Sequence, residues 1–467
     1  MKYRSIWKDN IDSISYKKLD KDIDCDVLII GGGITGISSL YHLRDSKLNV
    51  VLVEQNRIGY STTGNSTGKL TYLQNDLLDK IRNNCDEKKE FSYLKFIVDG
   101  MNEMVNLIKD KNIDCNLTKV DSYLYTNKDD EIDKIKNLAK RLYKYGIKTN
   151  VVNNDFVESK LMISASDTYL INPIKFLYGL IKYNKYPIYE DTSIIKIEKK
   201  GDNYISYTTN NKITSKWVII ASHYPYFIKP MLFPIKVSLE KSYLSASIKK
   251  MDFISLISYS YPFISIRTYK DYLLYLSNSH ILNKDIDDKK NFSELLKKIN
   301  DLNLNPRYLW SNIDVITVDG LPYIGRIKDN MLIATGYNTW GLITGFMSGS
   351  IISDIINNKK NKYIDLFNPN RRSLSYIRGY FKNIINNIVG YIKGIKSNVD
   401  IVKIDNKKVL SVGNNKVLKK CPHMGCGLYY NEIEKTWDCP CHGSRFNSNG
   451  KCISGPANKD ININDKV

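Results

Sequence analysis

Cys25-Asp26-Val27-Leu28-Ile29-Ile30-Gly31-Gly32-Gly33-Ile34-Thr35-Gly36 decides the fold. A short aliphatic run without polar alternation reads as a strand buried on both faces, and it stops at three glycines. From Ile34 to Arg44 apolar residues recur at helical spacing (Ile37, Leu40, Leu43), and Val50-Val51-Leu52-Val53-Glu54 is a second buried strand closed by an acid. Strand, glycine turn, helix and strand make one βαβ unit. The glycines fit G-x-G-x-x-G. Gly31 makes the tight turn, Gly33 lets the backbone approach a pyrophosphate, and Gly36 lets the helix pack close to the strand, with the helix start facing the phosphates. Glu54, about 20 residues on, is placed to accept both hydroxyls of an adenosine ribose.

Working outward, a chain of 467 residues suggests about three domains and can bury several cores without disulfide staples. Its apolar runs stop short of the ~18 residues of a membrane span. The start, Met1-Lys2-Tyr3-Arg4-Ser5-Ile6-Trp7-Lys8, lacks the apolar core of a signal peptide, so a cytoplasmic protein is expected. The 69 basic and 49 acidic residues leave a net charge of +20, but lysine is spread along the whole chain. With no basic stripe or recognised binding motif, no nucleic-acid partner is expected.

Residues 1–22 read as a polar lead-in. Residues 23–365 read as one unit, with a doubly wound α/β nucleotide part and a mixed α+β substrate region at about 76–180 and 230–310. The first of these segments is helical in pattern, with a strand near Ser122-Tyr123-Leu124-Tyr125. The second alternates apolar and polar residues around Tyr259, Tyr261, Tyr269, Tyr272 and Tyr275, as strands with one exposed face do. Further strands are expected from Ile194 to Ile197, Trp217 to Ala221 and Met331 to Gly336, with a helix from Gly345 to Asn357, which makes the nucleotide domain discontinuous. Residues 366–396 place Ile377, Phe381, Ile384, Ile385, Ile388, Ile392 and Ile395 on one helical face among basic residues. Such a face suits a membrane surface. Gly379, Gly390 and Gly394 weaken it as an autonomous anchor, so the favoured reading is a connecting helix that packs this stripe on the body, without membrane contact. Residues 397–467 form a last, small unit.

The glycine fingerprint serves NAD and FAD alike, and three later stretches favour FAD. Arg57-Ile58-Gly59-Tyr60-Ser61-Thr62-Thr63-Gly64-Asn65-Ser66-Thr67-Gly68-Lys69 is a hydroxyl-rich loop able to wrap a long dinucleotide. Ala221-Ser222-His223 ends a buried strand as a second backbone approach. Asp319-Gly320-Leu321-Pro322-Tyr323-Ile324-Gly325, with Ala334-Thr335-Gly336-Tyr337-Asn338-Thr339-Trp340-Gly341-Leu342, supplies another glycine-rich loop before a helix, whose N-terminus stabilises negative charge on a reduced flavin. Residues 24 to about 357 resemble the glycine oxidase and D-amino-acid oxidase family of FAD-dependent oxidoreductases. The resemblance implies an FAD-binding Rossmann-like fold in which Gly31, Gly33, Gly36 and Glu54 bind the ADP half, and Gly336, Thr339, Gly341 and Leu342 lie near the flavin ring. Ile34, Thr35, Thr62 and Thr63 join the cofactor-binding set. Some members attach flavin through a cysteine, but Cys85 and Cys115 match no such position, which implies noncovalent FAD. Gly64-Asn65-Ser66-Thr67-Gly68-Lys69 is one residue short of a Walker loop and Leu70 replaces the metal-binding hydroxyl, so no ATP site is read there.

Cys25, Cys85 and Cys115 are scattered, whereas Cys421, Cys426, Cys439, Cys441 and Cys452 crowd the last unit. Without a secretory signal such crowding argues for metal before disulfides. Cys421-Pro422-His423-Met424-Gly425-Cys426 and Cys439-Pro440-Cys441-His442-Gly443-Ser444 are two loops of mixed ligands, two per loop in the spacings C-x-H and C-x-x-H. Four of these residues suit tetrahedral zinc as well, against which the second cysteine of each loop argues. Both loops closely resemble the Rieske pattern, in which one iron of a [2Fe-2S] cluster takes two thiolates and the other two imidazoles. The resemblance implies an all-β unit with Cys421 and Cys439 on one iron, His423 and His442 on the other, and Cys426 bonded to Cys441. It also puts Ser444 where a hydroxyl donates to cluster sulfur, and Phe446 where high-potential members often carry a tyrosine donor, which implies a lowered potential. Cys452 is given no role.

A flavin accepts two electrons together and a cluster carries one, so their union suits the splitting of a two-electron oxidation. The expectation is an FAD-dependent oxidoreductase that oxidises a small substrate, by the resemblance an amine or amino acid, and passes single electrons through the cluster to an acceptor; the sequence leaves room for the reverse flow. Lys69, Arg267 and His280 are the substrate-side candidates, as a charge near the flavin and as carboxylate anchors. The alternative is an electron-transfer or redox-sensing protein with no organic substrate.

Overall fold

The computed structural model describes residues 1–9, 11, 14–153, 156–225, 233–371, 376–395, 397–404 and 407–463. The strand Ile23–Ile30 lies parallel to Val50–Val53 on one side and to Lys212–Ile220 on the other, and Met331–Thr335 extends the parallel set. Val27, Leu28, Ile29 and Ile30 are buried, because both sheet faces are covered; hence the unbroken apolar run. The helix Ile34–His42 packs on this sheet beside Gly341–Ile356 so closely that a Cβ on Gly349 would come within 2.4 Å of Ser38. Tyr323–Lys328 and Ile188–Tyr189 lie at the ends of this row, and Lys196–Lys200 and Asn203–Tyr207 form a hairpin against Lys212–Ile220.

A second, nine-stranded sheet runs in the order Pro306–Thr317, Val237–Ile248, Tyr272–Ile281, Ser265–Tyr269, Ser255–Ser258, Thr118–Thr126, Leu161–Leu170 and Lys69–Leu70, with Asn150–Val151 beside Leu161–Leu170. The two substrate segments are therefore halves of one sheet, joined where Ser255–Ser258 pairs parallel with Thr118–Thr126. The helical reading of 76–180 overlooks the strand Leu161–Leu170. A register shift opposite Val120 and Ser122, together with the polar Ser164, Ser166, Asp167 and Thr168, hides its period of two. The strand expected from Ile194 runs instead over Lys196–Lys200, with Ile194 buried in the preceding loop. The lead-in is docked rather than merely polar: Trp7 is fully buried, and its Nε1 donates to Ser66 O at 2.7 Å.

The last unit has two antiparallel sheets among its described residues. One comprises Asp400–Ile404, Lys407–Val412 and Asn415–Leu418, the other Tyr429–Asn431, Thr436–Asp438, Arg445–Phe446 and Cys452–Ser454. A buried charge network fastens it to the nine-stranded sheet. Lys241 Nζ lies 2.7 Å from Asp288 Oδ1 and 3.0 Å from Asp438 Oδ2; Arg445 lies 2.7 Å from Glu434 and 3.2 Å from Asp438. Glu434 also accepts from Ser311 N–H and Oγ–H.

The helix Ile377–Ile395 corrects the expectation for 366–396, of which 372–375 and 396 lie outside the described residues. Its apolar stripe faces solvent: Phe381 is 63% and Ile385 59% exposed, and Ile377, Ile384, Ile388, Ile392 and Ile395 are exposed too. The inward face is polar and small. Asn383 Nδ2 donates to Ile235 O at 3.0 Å and Asn387 Nδ2 to Pro234 O at 2.9 Å, while Asn386 O accepts from Asn283 Nδ2 at 2.8 Å. The glycines read as weak points are contact points. Gly379 abuts Val318, Gly390 abuts Asn283 and Pro440 O, and Gly394 meets Gly427, where an added Cβ on Gly427 would lie 1.7 Å from Gly394 O. Hydrogen bonds that only the body's carbonyls offer turn this face inward.

Candidate functional site

The glycine turn opens a long cavity. Gly31 has φ +114, and a Cβ there would meet Ala221 O at 2.6 Å; a Cβ on Gly36 would meet Gly31 O at 1.8 Å. Only glycine allows this turn and this helix approach. Glu54 Oε2 accepts from Gly32 N–H at 2.7 Å and Oε1 from Asn56 N–H at 2.8 Å, and Ile34 N–H donates to Thr63 Oγ1 at 3.1 Å. Burial raises the Glu54 pKa, and the two backbone donors oppose that rise. Gly31, Gly33, Ile34, Thr35, Glu54, Thr62, Thr63, Thr339, Gly341 and Leu342 all line the cavity. Gly36 lies behind the turn, and Gly336, at φ +77, packs on Thr317 outside the cavity wall, so their parts are conformational.

Beyond the loop Ser61–Gly68 the cavity ends against the nine-stranded sheet. Glu240 and Asp314 pair in register on adjacent strands and both line this end, with Ser242, Asn312 and Lys69. Glu240 is 7% exposed, and its carboxyl makes no hydrogen bond among the described residues. Burial first, then the charge of Asp314, push that carboxyl up to about 8, and burial pushes Asp314 up to about 7. Lys69 Nζ donates to Leu256 O at 2.7 Å and Ser265 Oγ at 2.8 Å; burial, then the nearby Arg267, lower its pKa well below the usual lysine value.

Arg267 and His280 leave the substrate set. Arg267 Nη1 and Nε donate to the carbonyls of Thr67, Gly68, Ile171 and Thr268, clamping the flavin-side loop to the sheet without lining the cavity. His280 lies outside the cavity, its ring stacked on Tyr243 at 5.7 Å and its Nδ1 3.3 Å from Asn278 O. Nothing in the sequence marks Glu240 or Asp314, because their strands Val237–Ile248 and Pro306–Thr317 mix apolar residues with Ser, Lys, Arg and Asn, among which two acids do not stand out. Cys85 and Cys115 also lie off the cavity wall.

In the last unit the two Cys/His loops close on each other. Cys439 N–H donates to Ser444 O at 2.8 Å and Cys421 N–H to Cys426 O at 2.8 Å, folding each loop into a tight turn. Cys426 and Cys441 form a disulfide. Cys439 Sγ lies within 4.8 Å of both bridged sulfurs, and Cys421 and Cys439 act on each other's ionisation, which is lowered for Cys421 and raised for Cys439. With Cys426 and Cys441 bonded to each other, the free thiols of the two loops are Cys421 and Cys439. The rings of His423 and His442 stand 4.8 Å apart. Burial, joined for His423 by His442, lowers His423 to about 3, and burial lowers His442 to about 4, so both are neutral ligand-type imidazoles at neutral pH. His442 Nδ1 is buried without a hydrogen-bond partner among the described residues, which fits a metal ligand.

The two sites share a wall. Ile453, Ser454, Gly455, Pro456 and Asn458 of the last unit line the cavity, Gln55 Nε2 donates to Ala457 O at 3.1 Å, and Asn458 Nδ2 donates to Ile195 O at 3.1 Å. The Tyr224 ring, on the cavity side, lies 6.2 Å from His423 and 5.4 Å from His442. A cleft bordered by Thr62, His223, Tyr224 and His442 runs along the join.

Fold and cavity are those of a flavin-dependent oxidoreductase, and the module on its wall is of the iron–sulfur type. Residues 26–355 match the family model of FAD dependent oxidoreductases (DAO), and residues 397–464 match that of the Rieske [2Fe-2S] domain. The chain belongs to the DAO family, and it is an oxidoreductase that carries FAD and a [2Fe-2S] cluster. It is similar to the Rieske 2Fe-2S iron-sulfur protein YhfW of Bacillus subtilis (strain 168), at 27% identity over 97% of this chain and 96% of that one. It is 22% identical to gamma-glutamylputrescine oxidoreductase of Escherichia coli (strain K12), over 74% of this chain and 87% of the relative. Among solved structures, glycine oxidase from Geobacillus kaustophilus shares the fold, with a TM-score of 0.63 at 16% identity, covering 75% of this chain and 99% of that one. Among the described residues no helix is long and apolar enough to cross a membrane.

Proposed function

We propose that this chain oxidises a small cationic amine at noncovalently bound FAD and passes the electrons one at a time, through its own cluster, to an acceptor outside the chain. The observation that carries the reading is the shared wall: residues 453–456 and Asn458 bound the flavin cavity, and His442 abuts Tyr224 on that cavity's rim. When bound, the flavin accepts an electron pair from a C–H bond next to nitrogen and releases it singly, which matches the one-electron capacity of the cluster.

This chain's residues hold and orient. Gly33 N–H and the start of Ile34–His42 would face the pyrophosphate, Glu54 the ribose, and the start of Gly341–Ile356 the flavin ring, while Gly31 N–H and Gly32 N–H are held by Val53 O and Glu54 and fix the turn. Cys421 and Cys439 would bind one iron, His423 and His442 the other. At the sheet end, the unpartnered Glu240 carboxyl and its neighbour Asp314 suit an ammonium group rather than a substrate carboxylate. Glu240 holds a proton up to about 8 in the empty cavity; an ammonium bound beside it favours the ionised carboxylate, which then takes up the proton that the alkylammonium must lose before its nitrogen lone pair can assist oxidation. The amine for which the Escherichia coli relative is named agrees in chemical class.

The test is anaerobic titration of purified protein with separate panels of amines and amino acids, following flavin absorbance and the paramagnetic signal of the cluster together. Amines bleach the flavin and the cluster signal then rises. If neither panel bleaches it while a reduced carrier protein does so rapidly, the chain is an electron-transfer or redox-sensing protein and the amine reading falls.

A further inference from the structure

The helix Ile377–Ile395 presents outward an apolar face with no partner among the described residues, and that face is not a gap in packing. The opposite face is fully engaged through Asn383, Asn387, Gly390 and Gly394, so turning the stripe inward would give up those hydrogen bonds and the close backbone contact at Gly427. At 19 residues the helix is about 28 Å long, and the exposed side chains recur at Ile377, Phe381, Ile384, Ile385, Ile388, Tyr391, Ile392 and Ile395. A continuous exposed patch of this kind marks an interaction surface.

Charge selects the occupant. From Leu366 to Val399 the sequence contains no Asp or Glu, and it contains Arg371, Arg372, Arg378, Lys382, Lys393 and Lys396. Arg371 is spent on Asp319. Arg378 and Lys382 are exposed beside the stripe, directly after its residues Ile377 and Phe381 and on the same side of the helix as each other. A second copy of the chain would set these cations against each other with no acid in the segment to pair them. A surface that is both anionic and apolar satisfies cations and stripe together.

We propose that the helix Ile377–Ile395 lies in the headgroup layer of an anionic lipid bilayer, with its Ile/Phe stripe toward the acyl chains and Arg378 and Lys382 among the phosphates. The helix docks on the protein at Gly427 and Pro440, next to the two Cys/His loops. Those loops then stand about one helix diameter, roughly 10 Å, from the lipid surface. The inference stands apart from the substrate reading, since it rests on a different surface.

The experiment is flotation of the full-length holoprotein with vesicles of phosphatidylcholine alone and of phosphatidylcholine with phosphatidylglycerol, at low and high salt. Three proteins are compared: wild type, Phe381→Ser/Ile385→Ser/Ile388→Ser, and Arg378→Glu/Lys382→Glu. These side chains are exposed, so unchanged melting temperature and chromophore spectra verify that each variant is folded. Expected are binding of the wild type to anionic vesicles, weakened by salt and at least tenfold stronger than to neutral ones, and at least tenfold loss in both variants. Absence of binding, binding that the serine variant retains, or wild-type self-association abolished by the serine substitutions without vesicle binding would each overturn the proposal.

Discussion

Replacing Lys241 by Met isolates what holds the iron–sulfur unit in place. Lys241 is 1% exposed, and Asp288 and Asp438, its partners at 2.7 and 3.0 Å, are each 3% exposed. Burial alone lowers the lysine pKa, and Asp288 and Asp438 outweigh it and leave it raised. Two cations, Lys241 and Arg445, face three carboxylates, Asp288, Asp438 and Glu434, so the network is one negative charge in excess, and methionine makes that two. Removing one partner of a buried ion pair costs about 3–5 kcal/mol. Asp288 can take up a proton, since burial raises its pKa, and Tyr243 Oη donates to it at 2.6 Å, which places the expected loss at the lower end, about 3 kcal/mol. Because the network joins Asp438, Glu434 and Arg445 to the nine-stranded sheet, the loss falls on the seam between units. Thermal melting followed at the cluster and flavin absorbances separately should show cluster bleaching well ahead of flavin release in Lys241→Met, with flavin reduction by substrate unchanged. Adding Asp288→Asn removes the stranded carboxylate and should recover about 1–3 kcal/mol. Coincident melting of both chromophores at the wild-type temperature would refute the idea that this network carries the seam.

Three further outcomes follow from single residues. Glu240 and Asp314 hold protons in the folded protein that the unfolded chain releases at the ordinary values of 4.5 and 3.8, so their stability contribution is complete below those values and is lost as pH rises toward about 8 and about 7. Glu240→Gln should flatten the decline of substrate-free melting temperature over that window and raise KM for a cationic amine at least tenfold; an unaltered slope counts against the buried carboxyl. The Ser444 hydroxyl accepts from Ala457 N–H at 3.0 Å, which leaves its proton for the Cys421 sulfur, whose pKa it helps to lower, so Ser444→Ala should lower the midpoint potential on the order of 50 mV in a redox titration, and an unmoved potential would deny Ser444 that role. In Gly36→Val the new side chain must displace Gly31 O, which a Cβ would meet at 1.8 Å; the purified variant should lack FAD while keeping its iron–sulfur absorbance, and stoichiometric FAD would count against the turn.

What the sequence revealed depended on whether one local stretch carries the whole constraint. The turn at Gly31 to Gly36 and the two Cys/His loops are self-contained: each shape is made by residues close together in the chain, so both were legible. The substrate end was not. Glu240 and Asp314 become a pair only through the register of Val237–Ile248 against Pro306–Thr317, and Arg267, which looked like an anchor for substrate, is turned to the carbonyls of Gly68 and Ile171 by a contact across the sheet. The helix Ile377–Ile395 fails differently. Periodicity groups its isoleucines on one face but is blind to which face turns inward. Here Asn383, Asn387 and the three glycines find carbonyls and close backbone on the body, and the apolar face is left outside.

That inversion bears on how electrons leave. Buried at the join lie Lys241 with Asp438, and across it Gln55 bonds to Ala457 and Asn458 to Ile195. These contacts, the first of them a buried ion pair, seat the module against the cavity wall. Under the proposed direction of flow, reduction of the cluster is intramolecular, and the rate at which it gains electrons from the flavin should be independent of protein concentration. A module so seated also needs a second approach for the acceptor, because Tyr224 and residues 453–456 occupy the cavity side. On another side the helix Ile377–Ile395 packs against Gly427 and Pro440, beside the same loops. If electrons run as proposed, they arrive on the cavity side and leave toward the helix, and substitutions on the outward stripe should slow transfer to a lipid-borne acceptor while leaving flavin-to-cluster transfer untouched.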